Sequence, residues 1–475
     1  MDKMSGMTLL LVAILLLGYV LIATATMTKM NRAAIAMFIG TVSWIIYICY
    51  GNDFVMKQHP DEYIDFLAGA VPTSVAVKEY IAQNIFLKYV GRAAEIVLFL
   101  LATMTIVEIL NNNGCFDFLA KWLRTRNSVK FLWMISVITF IISANLDNLT
   151  TTTMMLVILN QLIANRRQRM IFGCAIVLSA NIGGALTVIG DPEGLVLWNM
   201  GLITATDYSL SLLVPCMLAW GVPIMLLMRD LPERLDIQWT TMPYRGDDTN
   251  LNYWQRLMML LVGIGGLWFI PTFHSITKLS PFLGALCVLS ILWIVNEFVN
   301  RKLENVDQMI QRRIPRVLQY GVLQMMLFVM GIMLAMGVAK ETGILGWAAR
   351  LCDLHIHSVW ILGIVSGLIS TVVDTFATAM TFFSMFGITD VFDIASSNHP
   401  AYALSFGLNG DYWKVIAYCT AVGGSILTIG SLSGLALMKM EKVRVGWYLR
   451  NFGWKVAAGG LLGLGALYLQ ITIIQ

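Results

Sequence analysis

The chain has 475 residues, of which 58% are hydrophobic and only 13% charged, with a net charge of +4. That charged share is about half of what an ordinary soluble domain carries, and apolarity sustained along the whole length excludes a water-soluble globular protein. The seven cysteines are scattered without Cys-x-x-Cys spacing, so they read as small apolar residues rather than a disulfide framework or metal site.

A spanning helix needs about 20 apolar residues to cross about 30 Å of hydrocarbon. In chain order, such windows fall at 7–26, 33–50, 93–110, 170–200 and 208–228, then at 255–272, 280–298, 318–337, 412–438 and 450–474. The first has Ala23-Thr24-Ala25, which resembles a signal cleavage site, but the run is long for a signal core and Lys29 and Arg32 follow it. It is expected to span. Polar stretches near 51–92, 229–255 and 299–317 are expected to be loops. Each half also holds two shorter apolar arms around a polar tip: 129–142 and 149–164 around Ser143–Asn148, and 358–369 and 376–386 around Ser370–Thr375. Arms this short suit re-entrant hairpins. The expected fold is an all-α polytopic membrane protein of about 10 transmembrane spans, two of them broken, plus two re-entrant hairpins.

The halves match each other. Residues 183–197 align without a gap on 423–437, with seven of fifteen positions identical. Ser143 and Asp147 align with Ser370 and Asp374, and Gly114 with Gly343, at offsets of 227 and 229 against 240 for the glycine-rich segment. Three matches in one order indicate an internal duplication. An odd number of crossings per copy inverts the second, and 23 of 32 basic residues fall on the side this topology makes cytoplasmic. The reading divides the chain into a first inverted repeat at 1–230 (hairpin 129–164, broken helix 170–200), a cytoplasmic linker at 231–254, and a second repeat at 255–475 (hairpin 358–386, broken helix 412–438).

An ionisable group at membrane depth is functional by default, because it costs about 2.5–3.5 kcal/mol to place there. Asp147 and Asp374 at the tips, Asp191 in the glycine-rich break and Glu108 late in the third window meet that condition. Capping of a returning helix is the plainer role for the tip aspartates and for Asp191; Glu108 also suits a surface ion pair. Broken helices free backbone carbonyls, which with carboxylate, amide and hydroxyl oxygens make a cage for a small hard cation. Asp147, Asn148, Asn181, Thr187 and Asp191 would furnish one cage, and Asp374, Thr375, Ser425, Thr428 and Ser431 its counterpart. Sodium is expected at Asp147, Asn148 and Asp374, with Asp147, Asp374 and Asp191 carrying protons in competition. The five histidines are expected on the solvated surface.

Around these residues the sequence resembles the NhaD-type sodium/proton antiporters, within the superfamily that includes arsenite permeases and dicarboxylate symporters. The likeness rests on Ala102-Thr103-Met104-Thr105-Ile106-Val107-Glu108, Leu146-Asp147-Asn148-Leu149-Thr150-Thr151-Thr152, Ile189-Gly190-Asp191, Ala417-Tyr418-Cys419 with Gly423-Gly424-Ser425-Ile426-Leu427, and Met440-Glu441-Lys442. It implies sodium or lithium export in exchange for protons, a homodimer, and an ion-handling role for Asp147, Asn148, Asn181, Asp191, Ser370, Asp374, Ser425 and Ser431. The chain departs from the family at Thr375, where asparagine is usual, and at Glu193 and Gly194, where threonines are usual; oxygen donors are lost and a carboxylate is gained.

The expected location is a prokaryotic plasma (inner) membrane, crossed many times. The expected partners are sodium or lithium, protons and the lipid bilayer, with no nucleic acid and no cofactor. The alternative function is transport of an anion, dicarboxylate or arsenite, which the tip carboxylates disfavour. An intramembrane aspartyl protease would need Tyr-Asp and Gly-x-Gly-Asp sequences, which are absent. No phosphate-binding loop or nucleophile elbow appears, so the chain is not expected to be an enzyme.

Overall fold

The computed structural model describes residues 6–231, 235, 251–300, 322–389 and 399–474, all of them helical or in short connections. The expected linker at 231–254 and the basic residues Arg301, Lys302, Arg312, Arg313 and Arg316 fall wholly or largely outside the described residues. Among the described residues, eight helices are long and apolar enough to cross a membrane, and they coincide with the eight unbroken windows. They are α1 (Gly6–Thr28), α2 (Arg32–Cys49), a continuous run through α5 (Ser74–Tyr80) and α6 (Leu87–Asn112), α12 (Ala205–Leu227), α13 (Tyr253–Thr277), α14 (Pro281–Asn300), α15 (Val322–Glu341), and a run ending in α23 (Trp454–Ile474). Their outer faces carry large exposed apolar side chains, such as Leu16 at 63%, Trp268 at 66% and Phe298 at 74% exposure. Contiguous apolar faces of that kind are tolerated in lipid and not in water.

The stretch 51–92 is not a loop. It forms α3 (Gly51–Gln58), α4 (Pro60–Leu67) and the first turns of the 39-residue run Ser74–Asn112, joined to α6 by a π-helical turn at Ile81–Phe86. The cause is an aromatic cluster hidden among polar residues: Tyr47 stacks on Phe54 at 5.1 Å, and Tyr63 meets Tyr80 edge-on at 5.4 Å. His59 sits in this region and departs from the surface reading, being held between Glu341 at 2.7 Å and Glu62 at 3.1 Å.

The short apolar arms are α8 (Ser128–Ser143) with α9 (Asn148–Leu162), and α17 (Val359–Ser370) with α18 (Thr375–Met385). At 1.5 Å per residue these helices run about 24, 22, 18 and 16 Å, so none crosses about 30 Å of hydrocarbon alone. The broken windows are α10 (Arg166–Ala185) with α11 (Pro192–Asn199), and α20 (Asp411–Ile426) with α21 (Leu432–Glu441), interrupted at 186–191 and 427–431.

Contacts recur at the positions the internal alignment pairs. Ser143 donates to the Ala180 carbonyl at 2.6 Å, and Ser370 to the Thr420 carbonyl at 2.7 Å. A Cβ on Gly183 would meet the Phe140 carbonyl, and one on Gly423 the Gly367 carbonyl, so in both copies a glycine lets arm and broken helix touch backbone to backbone. Gly114 and Gly343 both take positive φ, 67° and 75°, at the turn after a long helix.

Three basic side chains are tied to residues far away in the chain. Arg169 bonds the Glu441 carboxylate at 2.9 Å, Arg166 the Glu441 carbonyl at 3.0 Å, and Lys455 pairs with Asp230. Arg32, counted with the cytoplasmic group, behaves differently.

Candidate functional site

Both tip aspartates cap the helix that follows. Asp147 Oδ2 accepts from the Thr150 amide at 2.8 Å and the Thr150 hydroxyl at 3.0 Å. Asp374 Oδ1 accepts from the amides of Phe376 at 3.0 Å and Ala377 at 3.3 Å. Each cap satisfies N–H groups that a buried helix start would otherwise leave orphaned. Asp191 precedes α11 in the same way but makes no capping bond. Its counterpart Ser431 does, accepting from the Gly434 amide at 3.1 Å. Asp191 Oδ1 is instead buried without a hydrogen-bond partner among the described residues.

The two broken helices meet at their interruptions. The Asn181 amide donates to Ser425 Oγ at 3.0 Å and Ser431 Oγ at 2.9 Å, so residues assigned to separate cages are joined. The Thr375 amide bonds the Gly430 carbonyl at 3.0 Å, and Ser433 Oγ the Asn148 carbonyl at 3.3 Å. Thr187 holds the first tip through the Ala144 carbonyl. Ser370 spends its proton on the Thr420 carbonyl, in a tying rather than an exposed position.

Between the tips lies a cavity of about 10 Å³, lined among others by Asn148, Glu193, Asp374 and Thr375. That is room for one water-sized particle. The two tips therefore border one space, where the sequence suggested two cages. Glu193 Oε2, in its lining, is buried without a hydrogen-bond partner among the described residues, and so are Asp147 Oδ1, Asp191 Oδ1, Asn181 Oδ1, Thr151 Oγ1 and Thr428 Oγ1 on the first hairpin and the broken helices, which do not line it. Asp147, Asp191 and Glu193 are 4%, 6% and 7% exposed. Buried polar atoms are almost always paired, so a concentration of lone oxygens marks a place built for something that supplies positive charge.

Two residues of the site escape a sequence reading. Glu193 appeared there only as a departure from a family pattern, yet it lies buried on α11 and lines the same small cavity as Thr375 and Asp374. Arg32 looked like a flanking positive charge. It is 7% exposed, with Nη1 3.3 Å from Asp374 Oδ2 and Nη2 donating to the Ile429 carbonyl at 2.8 Å. The signal for it was its place, immediately after the helix-capping Asn31 and at the first position of an apolar span. Glu108, which the sequence also offered, does not line the cavity, and neither do Asp147, Asp191, Asn181, Thr187, Ser370, Ser425, Thr428 or Ser431.

A second, larger cavity of about 710 Å³ adjoins the first, sharing Met325, Phe328 and Leu432 with it. Its lining includes Arg32 and the exposed Lys29 and Lys439. It lies on the basic side.

An all-helical, multi-pass membrane protein with interrupted helices meeting at a carboxylate-lined cavity has the architecture of a solute transporter. The chain belongs to the citrate transporter family (CitMHS), which it matches over residues 3–407. It is similar to sodium/proton antiporter 1 of Arabidopsis thaliana, 31% identical over 388 residues, which cover 80% of this chain and 62% of that protein. It is also similar to sodium/proton antiporter 2 of Arabidopsis thaliana, 27% identical over 450 residues, 94% of this chain and 96% of that protein. With the Na(+)/H(+) antiporter NhaD of Vibrio cholerae it shares 25% identity over 370 residues, 73% of this chain and 71% of the relative.

Proposed function

We propose that the protein exchanges sodium, or lithium, for protons across the membrane. The observation that carries this reading is the set of three buried carboxylates, Asp147, Asp191 and Glu193, each with an unpartnered oxygen. An isolated ionised carboxylate removed from water is too costly to persist, so each group must hold a proton or share a cation. Protons and a hard cation then compete for the same oxygens, and a site open to one side at a time converts that competition into exchange. The names of the antiporter relatives agree with it.

Citrate is the substrate named by the family description. A polyanion would meet like charge from all three carboxylates, and the buried arginine at the site is already engaged by Asp374. Cation transport suits this chemistry better.

The recurring contacts support two inverted repeats with re-entrant hairpins, and the basic rim of the larger cavity supports entry from the cytoplasm. A prokaryotic plasma membrane and a homodimer complete the reading; the first is supported by likeness to the antiporter of Vibrio cholerae, the second by the family resemblance of the sequence alone. The test is a reconstituted vesicle with an imposed pH gradient, challenged in turn with sodium, lithium, potassium and succinate. Sodium and lithium should collapse the gradient and Asp147→Asn should abolish the response. A response to succinate alone would replace the cation reading with the anion one.

A further inference from the structure

We propose that Arg32 is the resident cation of the second half of the site, occupying the place at Asp374 and the Ile429 carbonyl that a second transported cation would take. The inference rests on the cation-exchange reading above and deepens it: one transported cation per chain, loaded at the first-half carboxylates.

Ile429 lies in the interruption 427–431 and aligns with Ile189, 240 residues earlier, in the first interruption. Carbonyls freed by such an interruption, with the adjoining tip carboxylate, are the ligands a cation would use in each copy. In the second copy both are taken. Arg32 Nη2 holds the Ile429 carbonyl at 2.8 Å and Nη1 stands 3.3 Å from Asp374 Oδ2. With Oδ1 receiving the Phe376 and Ala377 amides, Asp374 has no lone oxygen left. In the first copy Asp147 Oδ1 has no partner, and among the described residues no basic nitrogen pairs with Asp147, Asp191 or Glu193.

The chemistry of the side chain suits a permanent occupant. Guanidinium keeps its charge at any working pH and cannot surrender a proton as lysine or histidine can. Its position is fixed from outside the tips and the broken helices, on α2, whose first turn is held by Asn31 Oδ1 accepting from the Ala33 amide at 2.9 Å. Lys29 and Lys439, the other cations lining the adjoining cavity, are exposed and solvated. Arg32 is thus a specificity-determining residue that fixes how many cations load.

The test counts bound sodium per chain in detergent by equilibrium binding of radioactive sodium, alongside melting temperature in sodium-free buffer. The wild-type protein should saturate at one sodium per chain, and so should Arg32→Lys. Arg32→Gln should saturate at two, and adding Asp374→Asn should return it to one. Arg32→Gln should also melt below wild type, since it strands a buried carboxylate, and the double variant should recover most of the loss. Two sodium ions bound by the wild type, or one by Arg32→Gln, would overturn the proposal. A double variant no more stable than Arg32→Gln would overturn the pairing itself. If the wild type binds no sodium while the double variant still recovers, the exchange reading falls and the assignment of Arg32 to Asp374 stands.

Discussion

The side-chain amide of Asn181 donates a 2.9 Å hydrogen bond to the hydroxyl of Ser431, 250 residues further along the chain. Its second N–H goes to Ser425 at 3.0 Å, so one side chain fastens the two broken helices together where both are interrupted. Asn181→Ala would remove one donor from each of two buried hydroxyls, leaving Ser431 only the Gly434 amide, at a cost of about 1–3 kcal/mol. The expected result is a melting temperature lower by about 1–3 °C, and a larger fall for Asn181→Asp, which presents a second acceptor. Equal melting of wild type and Asn181→Asp would show that the two hydrogen bonds hold nothing together.

Glu193 contributes one of three carboxylates with a lone buried oxygen. Glu193→Gln preserves the shape and removes the charge, so cation attraction should weaken while the fold survives. Taking a charge-assisted contact as worth at least about 1.5 kcal/mol, the sodium concentration for half-maximal exchange should rise about tenfold or more. Sodium titration of the vesicle assay measures it, and an unchanged half-maximal concentration would remove Glu193 from the site.

Gly183 faces the Phe140 carbonyl so closely that an added Cβ would lie 2.5 Å from it, with backbone atoms on the other side of the contact. Backbone cannot rotate away as a side chain can. Gly183→Ala should therefore destabilise by about 1–3 kcal/mol through overpacking, and Gly423→Ala should do the same at the matched position. Alanine at Gly221, where a Cβ would meet nothing within 4 Å, serves as the neutral control. Melting curves of the three variants would separate these expectations.

Glu62, exposed on α4, is held below its ordinary carboxylate value of 4.5, first by the Tyr80 hydroxyl and then by the charge of His59, with Lys88 adding to it. A depressed folded-state value means a contribution to stability that is present above pH 4.5 and lost as the pH falls through the lowered value. Tyr80→Phe should narrow the difference in melting temperature between wild type and Glu62→Gln at neutral pH. Below the carboxylate range the Glu62→Gln substitution should have no effect. A Glu62→Gln penalty that grows on acidification would reverse the sign and reject this account.

Much of the architecture was readable from hydropathy because a span is a local property: 20 apolar residues announce themselves wherever they occur. Asp147 and Asp374 were readable for the same reason, as charges within apolar stretches. The residues that escaped depend on neighbours far away in sequence. Arg32 looks like any flanking basic residue until Asp374, 342 positions later, is brought against it. Glu193 beside Pro192 could as well have capped an exposed turn, and only the packing of α11 against α18 buries it. The helices between 51 and 80 escaped because averaging polar residues with Tyr63 and Tyr80 erases the stripe that holds them.

The pairing of Arg32 with Asp374 also constrains how this chain can diverge. Arg32 stripped of Asp374 is a buried uncompensated charge costing about 3–5 kcal/mol, enough to remove a single-step mutant from a lineage, whereas Asp374 stripped of Arg32 can take a cation in its place. Descendants of a common ancestor should therefore lose Asp374 only together with or after Arg32. Asp147 has no such tether and is otherwise held only by its cap on Thr150, a role that asparagine or serine also fills, so that loss of transport would release it to drift among capping residues while the Arg32–Asp374 couple persisted.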